Sequence, residues 1–381
     1  MYPFHTFLLI ILICLIGVYL IYRWIQKRKF AKVEEGLEMI SYPNRNAFLK
    51  TNNLPLKEYV INASFNSAYD GDKVTIEQLG KVIYMGCRFI DVNVFITDSK
   101  DLYVGFATDN APTLIDVSLP FNSVISYINS FGFTVDPDVR KKVDDSNYQK
   151  IVQNTLDKSS ATGETLQKNY KNFPLFLNIR VYRPPTSKID IISEITKELN
   201  GLKRAYIDDN GNAIKITQYT PLSDIMGKVV VSMDIQNILQ IYASPPPYDP
   251  NNVPLETRNN IESYINVKTG GDNWGTFYKY EDVEQNTNTP LRILDANISD
   301  NTYETNALNM KLSYPYYLTD KSNPDSYSYI LNHQIQTIPH RYYIQDSNLA
   351  KYTDLFETNK TPFLPLYYAY TYINKKSTPL V

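Results

Sequence analysis

Residues 54–95 decide the fold, and they read LPLKEYVINASFNSAYDGDKVTIEQLGKVIYMGCRFIDVNVF. Their pattern predicts a strand, a helix and a second strand, in that order. Residues 59–64 are short, aromatic and β-branched, and an Asp-Gly-Asp turn at 70–72 follows them. Thr75 stands three residues before Gln78, which is the spacing of a capping box at the start of a helix. We therefore expect alternating strands and helices in this part of the chain.

The second predicted strand, from Cys87 to Phe95, alternates in character along its length. One face of the strand carries Phe89, Asp91, Asn93 and Phe95. The other face carries Arg88, Ile90, Val92 and Val94. Asp91 and Asn93 consequently share one face. Two polar side chains placed in this way either satisfy each other or belong to a functional site, and the pattern leaves both interpretations open.

Short motifs stand at the ends of these predicted strands: ASFNSAY at 63–69, GCR at 86–88 with DVN at 91–93, and YVGFA at 103–107. In this order they resemble the X half of the phosphatidylinositol-specific phospholipase C family. The corresponding family motifs are a Ser-Ser-His-Asn-Thr-Tyr-like box, Gly-Cys-Arg followed by Glu-Leu-Asp, and Tyr-His-Gly-His-Thr. An unrelated α/β protein with chance matches is the alternative.

A second set of matches lies downstream. Ser313-Tyr314-Pro315 precedes Asp320, Ser322, Asn323 and Tyr327, which resembles the Y half of the eukaryotic enzymes, and residues 334–356 resemble the last strands of the family. The resemblance implies an α/β fold, a distorted (β/α)8 TIM barrel of the phospholipase type, over residues 54–381.

The resemblance also implies that the reaction has been lost. The family's first histidine acts as general base and its second as general acid, and this chain has Phe65 and Phe106 at those positions. Both roles need a group that titrates near neutrality, which a phenyl ring cannot supply. The chain has only three histidines, His5, His333 and His340. We interpret the last two as surface or packing residues, and we predict a pseudoenzyme.

The family's calcium site is altered as well. The resemblance leaves a vestigial pocket of Asn66, Asp91, Asn93 and Arg180, in which a neutral amide and a guanidinium replace two carboxylates. Calcium needs several oxygen ligands with enough negative charge, so we expect no metal and no other cofactor. Arg180 could instead pair with Asp91. Some bacterial relatives use an arginine in place of the metal, so this replacement alone does not establish inactivity.

The N-terminus carries a long apolar run from Phe4 to Tyr22, interrupted only by His5, Thr6 and Gly17. Its length matches the roughly 30 Å hydrocarbon core of a bilayer, which predicts a transmembrane helix. The residues expected to anchor it include Phe7, Leu12, Leu15, Leu20 and Trp24. Basic residues from Arg23 to Lys32 follow the run, which places the C-terminal domain on the cytoplasmic side of a single-pass protein. A buried core helix is the alternative.

These features give the chain a simple domain organisation. The expected parts are a transmembrane and basic juxtamembrane segment (1–32), a linker (33–53) and a barrel (54–381), the barrel comprising an X-like half (54–242), a proline-rich spacer (243–300) and a Y-like half (301–381). The formal net charge of −2 gives no indication of a nucleic-acid partner. Only two cysteines occur, so no disulfide framework is expected.

Two classes of function fit this sequence. The first is a membrane-anchored structural protein with the lipid bilayer and other structural proteins as partners. The many Asn, Lys, Ile and Tyr residues indicate an AT-rich coding sequence, and large DNA viruses carry phospholipase-like proteins. We therefore hypothesise a virion inner-membrane or minor capsid protein that links the membrane to capsid proteins. The alternative is a phosphodiesterase, or an inositol-phosphate or lipid-headgroup binder, that works without histidines. The 32 tyrosines fit either strand packing or an interface.

Overall fold

The computed structural model describes residues 54–97, 99–108, 111–133, 170, 172–182, 191–234, 260–269, 276–279, 310–315 and 322–377, together with Gly17. Contacts divide the chain into two units, Met1–Thr51 and Asn52–Val381, and the description below concerns the second unit. The predicted membrane segment and linker lie outside the described residues apart from Gly17, as does most of the spacer. Within the described ranges, no helix combines the length and the apolar character needed to cross a membrane.

One large sheet forms the centre of the second unit. Its strands are β2 (Ala63–Ser64), β3 (Phe89–Ile96), β4 (Leu102–Thr108), β5 (Ala111–Pro120), β6 (Leu175–Tyr182), β7 (Val229–Asp234) and β8 (Val267–Thr269). Strands β3, β6, β7 and β8 are parallel neighbours, and β2 runs parallel to the start of β3. Strands β4 and β5 extend the sheet in the antiparallel direction. The mainly parallel core confirms an α/β fold.

The remaining described strands form two smaller sheets of two strands each. They pair β1 (Tyr59–Ile61) with β11 (Phe363–Pro365), and β9 (Thr276–Lys279) with β10 (Lys311–Tyr314). Isolated bridges join Thr337 to both Ile61 and Leu312, and His340 to Ser64. Among the described residues no pairing joins β8 to β9, and these two strands belong to different sheets. The prediction of a closed (β/α)8 barrel is therefore not met by the described strands.

The described residues form six α-helices, and the first of them lies where the sequence predicts a helix. They are α1 (Ile76–Tyr84), α2 (Phe121–Phe131), α3 (Ile191–Leu199), α4 (Ser326–His333), α5 (Ser347–Asn359) and α6 (Leu366–Ser377). Helix α1 begins as expected, since the Thr75 hydroxyl accepts a hydrogen bond from the Gln78 backbone N–H at 3.2 Å. Gly86 follows its last turn with φ of 89°, a left-handed conformation that glycine adopts without strain.

The C-terminal region differs from the prediction of final strands over residues 334–356. Only Thr337 and His340 make strand bridges there, and helix α5 begins at Ser347. Asp346 caps this helix by accepting a hydrogen bond from the Leu349 backbone N–H at 2.7 Å. Its buried residues recur at helical spacing: Leu349, Tyr352, Leu355 and Phe356. The N-cap and this stripe explain why a helix forms in place of a strand.

The alternation predicted for β3 divides the hydrophobic core into two parts. Phe89 packs in one cluster with Phe176 and Val230, its neighbours on β6 and β7. The apolar residues of the other face of β3, among them Ile90 and Val92, belong to the larger cluster, which also includes residues of the helices. The face that carries Phe89 also carries Asp91, so a polar layer lies directly above the smaller cluster.

Candidate functional site

A buried polar layer crosses three parallel strands. Asp91 of β3 is in register with Asn178 of β6, which is in register with Ser232 of β7, and all three are fully buried. Hydrogen bonds follow this register. The Asn178 amide donates to Asp91 Oδ1 at 3.0 Å, and the Ser232 hydroxyl donates to Asn178 Oδ1 at 2.9 Å. The Asn178 amide also donates to the Tyr314 hydroxyl at 2.6 Å, which ties β10 to the layer.

Asp91 and Arg180 form a two-pronged ion pair. Arg180 Nε donates to Asp91 Oδ1 at 2.9 Å and Arg180 Nη2 donates to Oδ2 at 2.8 Å. The Asn66 backbone N–H donates to Oδ2 at 3.0 Å. With the Asn178 amide, four donors approach the carboxylate, two on each oxygen, which uses the four lone-pair sites of an ionised carboxylate. Asp91 therefore has little remaining capacity to hold a metal cation.

Phe65 and Asn66 complete the surroundings of the guanidinium. Arg180 Nη2 donates to Asn66 Oδ1 at 2.7 Å, and the guanidinium carbon lies 4.6 Å from the centre of the Phe65 ring. Asn66 adopts φ of 45°, a left-handed conformation that asparagine tolerates better than most residues. The Phe65 ring in turn meets Tyr314 edge-on at 6.0 Å. The structure thus contains the pairing of Arg180 with Asp91 that the sequence suggests. The Phe65 ring covers the guanidinium of Arg180.

Phe106 occupies a separate aromatic cluster. Its ring is stacked on Tyr69 with centroids 3.9 Å apart, and it meets Tyr343 edge-on at 6.1 Å. Phe106 is fully buried and belongs to the larger core cluster, whereas Phe65 belongs to the smaller one. Neither ring offers a proton or a lone pair. Both positions at which the resemblance implies histidines are thus filled by packed phenyl groups.

Asn93 is the sequence-predicted site residue that stands apart. It lies two residues beyond Asp91 on β3, in register with Arg180 of β6 and Gly105 of β4. Among the described residues, its side chain makes no hydrogen bond to Asn66, Asp91 or Arg180. The structure therefore links three of the four predicted residues into one network and places the fourth a layer nearer the carboxyl ends of the strands.

The motifs do not identify three members of the network as site residues: Asn178, Ser232 and Tyr314. A signal for Asn178 exists, because residues 175–182 read LFLNIRVY and put Asn178 on the same strand face as Arg180. Ser232 occupies the corresponding polar position in the apolar run of β7. Tyr314 belongs to the Ser-Tyr-Pro motif, but its role as an acceptor for Asn178 depends on a pairing across distant strands.

The two described histidines pack away from this network. His333 and His340 are both buried, and the His340 ring stacks on Tyr352 with centroids 3.7 Å apart. His340 Nδ1 lies 2.7 Å from the Ile338 carbonyl oxygen. Burial lowers the pKa of His340 to about 4, so its imidazole is neutral near neutral pH. Within the described residues, no group of three or more His, Cys, Asp or Glu side chains has the arrangement of a metal site.

Two crystal structures and one family model are similar to parts of this chain. Comparison with curated protein sequences found no match. The crystal structure of S. officinalis PLC21 is similar, with a TM-score of 0.49 and 11% identity, over 82% of this chain and 37% of that chain. The crystal structure of L. pealei PLC21 has a TM-score of 0.49 and 12% identity, with the same coverage of 82% and 37%. The chain thus spans 37% of the length of these two proteins.

A family model supplies the more specific result. Residues 52–139 match the model for phosphatidylinositol-specific phospholipase C, X domain. This segment contains Phe65, Asn66, Asp91 and Phe106. It therefore includes the motifs of the X half on which the resemblance is based. In this region the chain is therefore similar to phosphatidylinositol-specific phospholipase C proteins.

Proposed function

We propose that this protein is a catalytically inactive phospholipase C-like protein that serves as a membrane-anchored structural component. The observation that carries the proposal is the state of Asp91. Its carboxylate accepts four hydrogen bonds from Asn66, Asn178 and Arg180, and it is fully buried. A carboxylate engaged in this way supports folding, because breaking a buried ion pair leaves an uncompensated charge.

The chemistry of the surrounding positions supports the same proposal. General acid and general base catalysis each contribute about 10²- to 10⁴-fold in rate, and the phenyl rings of Phe65 and Phe106 can perform neither. His340 does not replace them, because its ring stacks on Tyr352 and is fully buried. The site is thus filled by side chains that pack and pair.

The structural role rests on further features of the sequence. We propose that the apolar run from Phe4 to Tyr22 is a membrane anchor and that residues 54–381 form an α/β domain on its cytoplasmic side. We propose that this domain contacts other structural proteins, and that in a virion it links the inner membrane to the capsid. Quantitative mass spectrometry of purified particles tests this role. A fixed, high copy number supports it, and absence from the particles contradicts it.

Inactivity is tested by measuring inositol phosphate release from phosphatidylinositol in mixed micelles with the full chain. We expect no release above that of buffer. Turnover that disappears in Asp91→Ala and persists in Asn93→Ala would overturn the proposal. Asn93 is the matched control, because it lies on the same face of β3 outside the network. Circular dichroism of both variants separates loss of turnover from loss of folding.

One observation favours the second candidate, a binder of inositol phosphates or lipid headgroups. The Arg180 side chain remains 19% exposed, although its guanidinium pairs with Asp91. Calorimetric titration with inositol trisphosphate tests this candidate. Binding that weakens at least tenfold in Arg180→Lys would support it, because lysine keeps the charge but loses the fork geometry. Absence of binding by the unaltered chain leaves the structural role as the function.

A further inference from the structure

Asparagine is followed by glycine at two places in the chain, Asn200-Gly201 and Asn210-Gly211. Both asparagines are exposed. In such a pair the backbone nitrogen of the glycine can attack the side-chain carbonyl carbon of the asparagine, because glycine has no Cβ atom to hinder the approach. Asparagine is accordingly one of the thermally labile residue types. The surroundings of each pair decide whether this reaction proceeds in the folded protein.

Asn210 lies at the tip of a short hairpin, and its side chain is not held. Ile207 pairs with Ala213 in an antiparallel bridge across the hairpin. The Asp208 carboxylate accepts hydrogen bonds from the backbone N–H groups of Asn210 and Asn212 at 2.9 and 2.8 Å. Within the ranges that the structure describes, the side-chain amide of Asn210 makes no hydrogen bond. It is therefore free to rotate toward the next backbone nitrogen.

The backbone around Gly211 leaves room for this attack. Gly211 adopts φ of 83°, and a Cβ atom built at this position meets no atom within 4 Å. Its N–H donates to the Asp208 carbonyl oxygen at 3.0 Å, in an exposed turn where water competes for the hydrogen bond. The attacking nitrogen and the carbon of Asn210 are thus adjacent in the chain, unhindered and accessible to solvent.

Asn200 belongs to the same dipeptide in a restrained setting. Its side-chain oxygen accepts a hydrogen bond from the Tyr264 hydroxyl at 2.7 Å. A Cβ atom on Gly201 would lie 3.1 Å from the Glu198 carbonyl oxygen and 3.5 Å from a methyl carbon of Ile125. The Gly201 N–H donates to the Glu198 carbonyl oxygen at 2.9 Å. Since both glycine N–H groups are hydrogen-bonded, the two pairs differ in the hold on the asparagine and in the room around the glycine.

We propose that Asn210 is a site of spontaneous deamidation in the folded protein, whereas Asn200 is protected. The Gly211 nitrogen forms a bond to the Asn210 Cγ atom, and its proton passes to a solvent base. The Cγ–Nδ2 bond breaks, and the nitrogen takes up a proton from solvent and leaves as ammonia. Water then opens the succinimide at either carbonyl group, which gives aspartate or isoaspartate. The reaction needs no catalytic site, so it is independent of the function proposed above.

The reaction alters the tip of the hairpin and spares its base. The product adds a carboxylate next to Asp208 and Asp209, and isoaspartate also adds a methylene group to the main chain. The base is held from outside the hairpin, because the Asn266 amide donates to the Tyr206 and Ile214 carbonyl oxygens at 2.6 and 3.0 Å. We therefore expect the deamidated protein to stay folded.

Mass spectrometry of the full chain measures the reaction at each asparagine. The folded protein is incubated in mildly alkaline buffer made with heavy-oxygen water and is then digested with trypsin in ordinary water. Only deamidation during the incubation incorporates heavy oxygen, which excludes changes that occur during digestion. Trypsin places Asn200 and Asn210 in different peptides, residues 198–203 and 205–215, and fragmentation distinguishes Asn210 from Asn212.

We expect Asn210 to deamidate at least several-fold faster than Asn200. Tyr264→Phe should raise the rate at Asn200 and leave the rate at Asn210 unchanged, because it removes only the hydrogen bond to the Asn200 side chain. Gly211→Ala should slow the reaction at Asn210 several-fold, because the added methyl group hinders the attacking nitrogen. In urea-denatured chain the two rates should become similar.

Three outcomes would overturn the proposal. Equal rates at Asn200 and Asn210 in the folded protein would show that the tip is as protected as the helix end. A difference that persists in urea would assign the effect to the neighbouring sequence and not to the structure. Loss of the circular dichroism signal before heavy oxygen appears at Asn210 would place the reaction in the unfolded chain.

Discussion

Two groups of residues from the same phospholipase-like motifs differ in what they do. At the corner after α1, Gly86 and Arg88 keep the family's residue types and serve the fold. A Cβ atom on Gly86 would lie 2.4 Å from the Tyr170 ring. Arg88 donates to the carbonyl oxygens of Gly132 and Tyr170 at 2.6 and 2.8 Å. At the carboxyl ends of the strands, Phe65 and Arg180 depart from the family's residue types and form a packed ion-pair site.

The difference teaches which constraints still act on this chain. The corner residues satisfy backbone groups and close packing, which any protein with this fold needs. The resemblance implies that the positions of Phe65 and Arg180 serve proton transfer and metal binding in the phospholipase family, and in this chain they hold groups that pack and pair with one another. If this comparison is correct, substitutions in both groups should lower stability, and none should reveal a hidden reaction.

The largest effect is expected at the ion pair. Arg180→Met should lower the free energy of unfolding by about 4 kcal/mol, because it leaves Asp91 charged and buried without its main partner. Urea denaturation measures this change. The double variant Asp91→Asn with Arg180→Met should recover most of the loss, since no charge then remains in the layer. A double variant as unstable as the single one would show that the network has a role other than charge pairing.

Gly86→Ala should lower the free energy of unfolding by about 3 kcal/mol. Roughly 1–2 kcal/mol of this comes from the left-handed backbone, and the rest from contact with the Tyr170 ring. Gly211→Ala is the matched control, because Gly211 has a similar φ of 83° with no atom within 4 Å of the added Cβ. The control should lose only about 1 kcal/mol. Equal losses at the two glycines would show that Tyr170 moves away without cost.

Local structure was the most predictable part of this molecule. The Thr75 cap, helix α1 and the alternation of β3 all follow from spacing within a short stretch, and the structure confirms them. Residues 334–356 are harder to predict, because the family resemblance indicates strands there, whereas Asp346 and the stripe of α5 indicate a helix. Asp346 and that stripe were visible in the sequence.

The candidate site was predictable only in part, for a different reason. Asn66, Asp91 and Arg180 follow from the motifs, whereas Asn178, Ser232 and Tyr314 join through strand register and long-range packing. These contacts join residues that are 54 to 136 positions apart, and no local pattern in a single sequence encodes the register between such strands. Closure of the strands into a barrel depends on pairings of the same long-range kind.

His340 offers a pH test of whether the remaining histidines serve packing. Its folded-state pKa of about 4 lies below the unfolded value near 6.5, because burial disfavours the charged ring. The unfolded chain therefore binds more protons between these values, and stability should fall as pH is lowered through this window. The expected contribution is about 2 kcal/mol between roughly pH 7 and pH 5.

The measurement compares urea denaturation of the unaltered chain and His340→Phe across this range. Phenylalanine keeps a ring against Tyr352 but cannot titrate, so the difference between the two curves isolates His340. A difference that stays constant with pH would show that the imidazole is charged, or solvated, in the folded protein.

The smallest effect concerns the ring over Arg180, and it decides whether the altered site is a coupled unit or a set of separate packing residues. Phe65→Leu removes a face that lies 4.6 Å from the guanidinium carbon, and this contact should contribute about 1 kcal/mol beyond the loss of volume. A double-mutant cycle isolates it: Phe65→Leu is measured in the unaltered chain and in the Asp91→Asn, Arg180→Met background, which carries no cation. Phe106→Leu is the control, because Phe106 stacks on Tyr69 in the other core cluster and should cost the same in both backgrounds. If Phe65→Leu is equally costly in both backgrounds, the ring only fills space, and the phenylalanine has no role specific to the arginine beneath it.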